Sequence, residues 1–335
     1  MKLFLKKLIY FLILPIVFVL MMDIWLRNQE STYSVKYEDA LLNKDSIEIL
    51  ILGNSHATYG VDPDAFEMYA YNMANVGQSI YFDKRLTTSL IDSLSNLKYV
   101  FISVDYHSLY FSSQGIRDIW SYYGNKIKYK DNSYLLEDIS PFFYGYTPKV
   151  SLSLLKKRVV NYLKYGANSL NYDVEVGVNL NDTLNKGFIS FEEHFNSDFF
   201  NEKAYKSRID IFNKIVYSSA EKNEVLKDLD NFIDHLIKRK VKAILFTTPT
   251  FRCYNTYLDS SILNQNDKDI LGLVNRYNIS YLNFMDSPLF EKDDYYNADH
   301  LNKKGALKFA KMLNDSLAIM NKHSNNNTYG RIIKK

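Results

Sequence analysis

Two short blocks carry residue types able to do nucleophilic chemistry. The first is Gly53-Asn54-Ser55-His56, which closes an apolar run. A serine behind a glycine in a tight turn can present both its hydroxyl and its own backbone N–H. Small polar residues after a strand are also ordinary turn chemistry, so this block alone decides nothing. The second block is Asn297-Ala298-Asp299-His300-Leu301-Asn302, just ahead of the last helical pattern. A serine needs a base, and the base needs a group that orients it. Ser55 as nucleophile and His300 as base satisfy the first requirement. The orienting group stays open: Asn297 lies three residues before the histidine, Asp299 lies directly before it, and Asp286, Asp293 and Asp294 are close in sequence. His56 either touches substrate or packs into the turn. The remaining histidines, His107, His194, His235 and His323, show no metal-ligand spacing, so no metal is expected. Cys253 is the single cysteine and has no disulfide partner. There is no glycine-rich phosphate loop, so no cofactor is expected.

These blocks need a scaffold, and the hydrophobic pattern supplies one. Ser46 to Leu52 is a near-continuous apolar run, which suits a strand buried on both faces. Four more candidate strands are Tyr71 to Val76, Tyr99 to Val104, Lys242 to Thr247 and Ile279 to Phe284. Helical patterns lie between and after them, at Phe82 to Leu94, Asn223 to Arg239, Asp267 to Tyr277 and Leu301 to Met320, with Asn302 set to cap the last. Alternating strand and helix implies an α/β fold: a three-layer, flavodoxin-like parallel sheet of about five strands with helices on both faces. The interval 107–220 breaks the rhythm. It reads as a largely helical insertion, with helices at Val150 to Tyr165 and Lys203 to Tyr217, and serves either as a cap over the sheet's C-terminal edge or as a peripheral subdomain. Residues 321–335 read as a disordered tail.

The N-terminus addresses the protein to a membrane. Lys2, Lys6 and Lys7 precede the uncharged run Leu8 to Met22, and Ile24-Trp25-Leu26 extends it past Asp23. A helix from Leu8 to Leu26 is about 28 Å long, close to the hydrocarbon thickness. No small-residue cleavage site follows, so residues 1–27 read as an uncleaved signal anchor, with 28–45 as a polar stalk and 46–320 as the folded domain. The lysines set the tip in the cytoplasm and the domain outside. The net charge of +3 is spread along the 335 residues and gives no argument for nucleic acid. The aromatic content of 15% fits either a compositional bias or platforms for sugar rings.

The two blocks, one near each end of an α/β domain, resemble the SGNH hydrolase superfamily of GDSL-like esterases and acyltransferases. Ser55 and His300 match that family's nucleophile and base. Tyr71-Asn-Met-Ala-Asn75-Val-Gly77-Gln78-Ser79 looks like its second block, in which Gly77 matches the oxyanion glycine. Thr247-Thr-Pro249, followed by Tyr254 and Tyr257, looks like the segment after the fourth strand in membrane-anchored bacterial members. The resemblance covers roughly 46–106 and 222–320. Two positions depart from it. Asp105 stands where the family offers an asparagine donor, and an ionised carboxylate cannot donate. Asn297 stands where the family has the aspartate of the triad. The resemblance implies a serine-dependent ester hydrolase or O-acyltransferase that works through an acyl-Ser55, with Ser55 and Gly77 N–H groups as the oxyanion hole. Asn54, His56, Gln78 and Asp105 are then the substrate-side residues. Similar anchored proteins act in alginate O-acetylation and teichoic acid D-alanylation. By analogy the expected setting is a bacterial inner or cell membrane, with the domain periplasmic or extracellular, acting on an ester- or acyl-bearing envelope glycan beside a multi-span membrane acyltransferase. The two departures keep a second reading open: a catalytically inactive glycan-binding or assembly protein.

Overall fold

Ile49–Leu52 forms β1, four consecutive apolar residues without exposure on either side. It pairs in parallel with β2, Ala70–Asn72, on one side and with β3, Tyr99–Ser103, on the other. β4, Lys242–Thr247, and β5, Ser280–Asn283, continue the sheet, again in parallel. The resulting order, β2-β1-β3-β4-β5, is the flavodoxin-like one, whose strand order reverses between β1 and β3. Ligands in such sheets bind beyond the carboxyl ends of the strands at that reversal, and β1 runs straight into Ser55.

The computed structural model describes residues 2–27, 31–111, 148–166, 172–173, 178–179, 184–191, 197–324 and 332–334. The chain divides into two compact units, Met1–Val35 with Gln114–Asp182, and Lys36–Ser113 with Thr183–Lys335. The first holds α1, Lys2–Arg27, in which Lys2–Met22 is long and apolar enough to cross a membrane at a mean hydropathy of 2.4. It also holds the helix Pro148–Tyr165 and a two-stranded antiparallel ribbon, Tyr172–Asp173 with Val178–Asn179.

The second unit holds the sheet. Ile49, Ile51, Phe101, Ile244 and Phe246 share a core with Phe309 and Leu313 of α8, Lys303–Ser324. Leu50, Leu52, Ile102 and Leu245 alternate to the opposite face. Two helices pack on each other there: α4, Ile80–Leu90, and α6, Lys222–Lys238, which buries Val225, Leu229, Phe232 and Leu236 along one stripe. α7, Ser260–Tyr277, lies beside α6 and leads into β5. Truncating Phe309, which is fully buried, to alanine costs about 3–5 kcal/mol.

Three expectations change. The polar stalk is in part a helix, α2, Thr32–Leu42. Tyr71 donates to the Lys36 carbonyl at 3.0 Å and to Asp39 at 2.8 Å, and Lys36 reaches the Ala74 carbonyl at 2.5 Å. Burial lowers the Lys36 amine to about 7. Next, the interval 107–220 is not one body, because Gln114–Asp182 belongs with α1, while the residues before and after it belong with the sheet. Residues 184–191 pair back onto β2, where the Lys186 carbonyl accepts from Asn72, and Gly187 fits so closely that a Cβ there would meet the Asn72 carbonyl at 2.1 Å. Finally, the tail is not wholly irregular. α8 runs to Ser324, and β8, Ile332–Lys334, adds in parallel to the outer edge of β5, whose backbone groups would otherwise lack strand partners.

Candidate active site

The turn that carries Ser55 is fixed by its neighbours. Gly53 has φ +136°, and a Cβ there would lie 2.4 Å from the Ser103 Cβ, so β1 and β3 can lie this close only with glycine. Asn54 caps the short helix α3, Ser55–Gly60, by accepting from the His56 N–H at 2.9 Å. Ser55 is therefore the first helical residue, whose N–H has no acceptor within the helix. It is half-buried, while Asn54 and His56 on either side are buried.

His300 arrives from the other end of the unit on the antiparallel pair β6, Tyr295–Asn297, and β7, His300–Leu301. Asn302 caps α8, accepting from Gly305 at 2.9 Å. A Cβ on Gly305 would lie 2.0 Å from the Asp294 carbonyl, so only glycine lets α8 begin against this loop. The outcome is a distance of 2.9 Å between His300 Nε2 and Ser55 Oγ. With Nε2 accepting the serine proton, Nδ1 carries the hydrogen. Two acceptors face it: Asn297 Oδ1 at 3.1 Å and Asp299 Oδ1 at 3.4 Å. The Asn297 oxygen is shared, since it also accepts the backbone N–H of Asp299 at 3.1 Å and of His300 at 2.8 Å. Asn297 thus shapes the turn and orients the ring, and Asp299 brings the negative charge.

Asp299 is the hub of a buried charge network. Its Oδ2 accepts from Arg208 Nε at 2.7 Å and lies 3.4 Å from His56 Nε2. The other ring nitrogen of His56 lies 3.3 Å from Asp105 Oδ1. Asp105 in turn accepts from Ser103 Oγ at 2.7 Å and Thr248 Oγ1 at 3.0 Å. Burial alone would lower the His56 imidazolium, but the two flanking carboxylates outweigh it and hold it at about 9. Burial would likewise raise Asp299 and Asp105; their cationic neighbours and hydrogen bonds instead hold both well below the usual carboxylate range. His300 is lowered by burial, with His56 and Arg208 adding to this and Asp299 opposing it. The lowering favours the neutral ring, the form that can accept a proton.

The expected substrate-side residues lie below the surface. Asn54, His56, Gln78 and Asp105 are all buried, with polar atoms engaged by the protein. Gly77 sits in the turn after β2 with φ +71° and is exposed. The adjacent Gln78 donates to Asp83 Oδ1 at 2.7 Å, and the same oxygen accepts the Gly53 N–H at 3.1 Å. One carboxyl on α4 therefore ties the Gly77 turn to the Ser55 turn, and burial raises it to about 7.

His56, Asp299 and His300 offer donor atoms within 4.8 Å of one another, the spacing of a metal trio. Here Arg208 already occupies Asp299 Oδ2 and the flanking carboxylates favour a protonated His56, so both compete with a further positive ion.

The late part of the insertion supplies the walls. α5, Glu202–Ser218, brings Arg208 and also Phe212, which stacks on His107 at 4.2 Å between ring centres. Phe191 stacks between Tyr59 at 4.0 Å and Tyr296 at 3.9 Å, and its ring lies 5.9 Å from that of His300. Its carbonyl accepts from Lys303, the first residue of α8. Sequence reading missed Arg208, Phe212, Phe191 and Asp83. One signal was available: Tyr205, Ile209, Phe212 and Val216 form an apolar stripe, and Arg208 is a cation on that same face.

No protein-family model matches the chain, and no curated protein sequence matches it significantly. The site is accordingly read from its own geometry.

Proposed function

We propose that this chain is a serine-dependent ester hydrolase or O-acyltransferase, tethered by α1 and acting outside the membrane on a surface polysaccharide or another envelope glycan. The observation that carries the reading is the 2.9 Å approach of Ser55 Oγ to His300 Nε2, with Asn297 and Asp299 on the far side of the ring. His300 takes the Ser55 proton as Oγ attacks the ester carbonyl. The oxyanion is met by the Ser55 N–H at the start of α3, with the Gly77 N–H as the second donor. Collapse expels the alcohol, which receives the proton from His300 and leaves an acyl-Ser55. Attack by water then gives the acid, while attack by a sugar hydroxyl gives a new ester.

Asp299 answers the main objection raised by the sequence. An asparagine alone stabilises an imidazolium poorly, but a buried carboxylate 3.4 Å from Nδ1 supplies the charge. The resemblance of residues 53–56, 71–79 and 297–300 to SGNH blocks supports the same reading, as does their position beyond the strand ends of a flavodoxin-like sheet. The outward orientation rests on Lys2, Lys6 and Lys7 ahead of the apolar helix. Of the stacked rings Tyr59, Phe191 and Tyr296, the half-buried Tyr296 is the outer one, and its far face suits a sugar ring.

The test is covalent labelling of the purified protein with a serine-directed fluorophosphonate, mapped by peptide. Labelling at Ser55, lost in Ser55→Ala and slowed by at least about 1,000-fold in His300→Ala, is the expected result. Absence of labelling in a folded wild-type protein would defeat the enzymatic reading in favour of an inactive glycan-binding or assembly protein.

A further inference from the structure

Resting on that reading, we propose that Arg208 anchors the substrate: its two terminal Nη groups bind an anionic oxygen group, carboxylate or phosphate, carried on the same molecule as the ester that Ser55 attacks. The guanidinium is held at one edge and open at the other. Its Nε donates to Asp299 at 2.7 Å, and its central carbon lies 4.9 Å over the Phe212 ring, which fixes the plane. Among the described residues, no protein acceptor takes a hydrogen bond from either Nη. The Arg208 side chain is 35% exposed, against 1% for its partner Asp299. The charges of the network are ordered accordingly. Both carboxylates, Asp105 and Asp299, are buried, as is the protonated His56 between them, and the accessible member of the group is the cation. That arrangement presents positive charge one carboxylate away from His300, which itself lies 2.9 Å from Ser55, even though the network as a whole is neutral. A planar fork with free N–H groups matches the geometry of a carboxylate or phosphate, and a point-charge ammonium would not.

The experiment measures the rate of fluorophosphonate labelling at Ser55 of the full chain in detergent, in the presence of glucose, glucuronate or glucose 6-phosphate. The expected result is protection by at least one of the two anionic sugars at about a 10- to 100-fold lower concentration than glucose, the strength of a charge-assisted hydrogen bond. Protection by glucuronate alone assigns the carboxylate, and protection by the phosphate alone assigns that group. In Arg208→Gln the advantage of the anion over glucose disappears, and in Arg208→Lys it falls part of the way. Equal protection by all three sugars, or an anion advantage that survives in Arg208→Gln, would overturn the proposal while leaving the nucleophile intact. A protein that is never labelled at Ser55 would instead remove the enzymatic reading, and this inference with it.

Discussion

Two buried clusters stand side by side behind Ser55, and each is built around a histidine. The rings of His56 and His107 are 5.6 Å apart, and both are buried. His56 lies between Asp105 and Asp299 and holds its proton up to about 9. His107 lies between Phe212 and Phe111, has Asn54 Nδ2 at 3.3 Å from its Nε2, and is lowered by burial and by the charge on His56 to about 3. Equal burial thus gives opposite charge states. The carboxylates decide, because burying a charge is tolerable only when a partner of opposite sign is buried with it.

The largest test strips the charged pocket of its hub. Asp299→Asn leaves the shape but removes the negative charge facing His300, His56 and Arg208. We expect labelling at Ser55 to slow by about 1,000- to 10,000-fold. The companion Asn297→Ala loses a shared hydrogen bond and no charge, so its effect should be far smaller. A larger loss in Asn297→Ala would make the amide, and not the carboxylate, the third member of the triad. Next in size is His56→Gln, which leaves two buried carboxylates without their shared cation. Urea denaturation should report a loss of about 3–5 kcal/mol. The matching change in the neutral pocket, His107→Phe, removes one acceptor and keeps the stack on Phe212, so about 1 kcal/mol or less is expected. If the two histidine variants lost equal stability, the contrast between the pockets would be broken.

The smallest test is the pH profile of stability. An unfolded imidazole titrates near 6.5. His56 is raised in the fold, so its contribution is fully present below about 6.5 and is lost as pH rises through about 9. His107 is lowered, so its contribution is fully present above about 6.5 and is lost as pH falls toward about 3. Lys36 and Asp83 act with the opposite sign in the same windows, so each histidine is read from the difference between wild type and variant. His56→Gln should flatten the alkaline limb and His107→Phe the acid limb. A midpoint curve unchanged by either substitution would contradict both assignments.

Much of the sheet was legible because buried parallel strands leave continuous apolar runs, as at Ile49–Leu52 and Lys242–Thr247. Ser55 and His300 were legible because each sits where a strand or hairpin meets a helix and bears a reactive group. Asp299 was named but not chosen over Asn297, since sequence gives no ring orientation. Arg208, Phe212 and Phe191 lie in the insertion and reach the site only through long-range packing, which no local period encodes. His56 was read beside the nucleophile without its two carboxylates, because Asp105 and Asp299 come from the far ends of β3 and the β6–β7 hairpin.

Ser55 and His300 are 245 positions apart in the chain, and that separation sets a timetable for synthesis. At about 5–20 residues per second, some 10–50 s pass between translation of the nucleophile and translation of its base. Through that interval α1 and the first strands have already left the ribosome, but Ser55 has no His300 beside it. The 2.9 Å contact forms only once α8 docks, so a nascent or truncated chain lacks it.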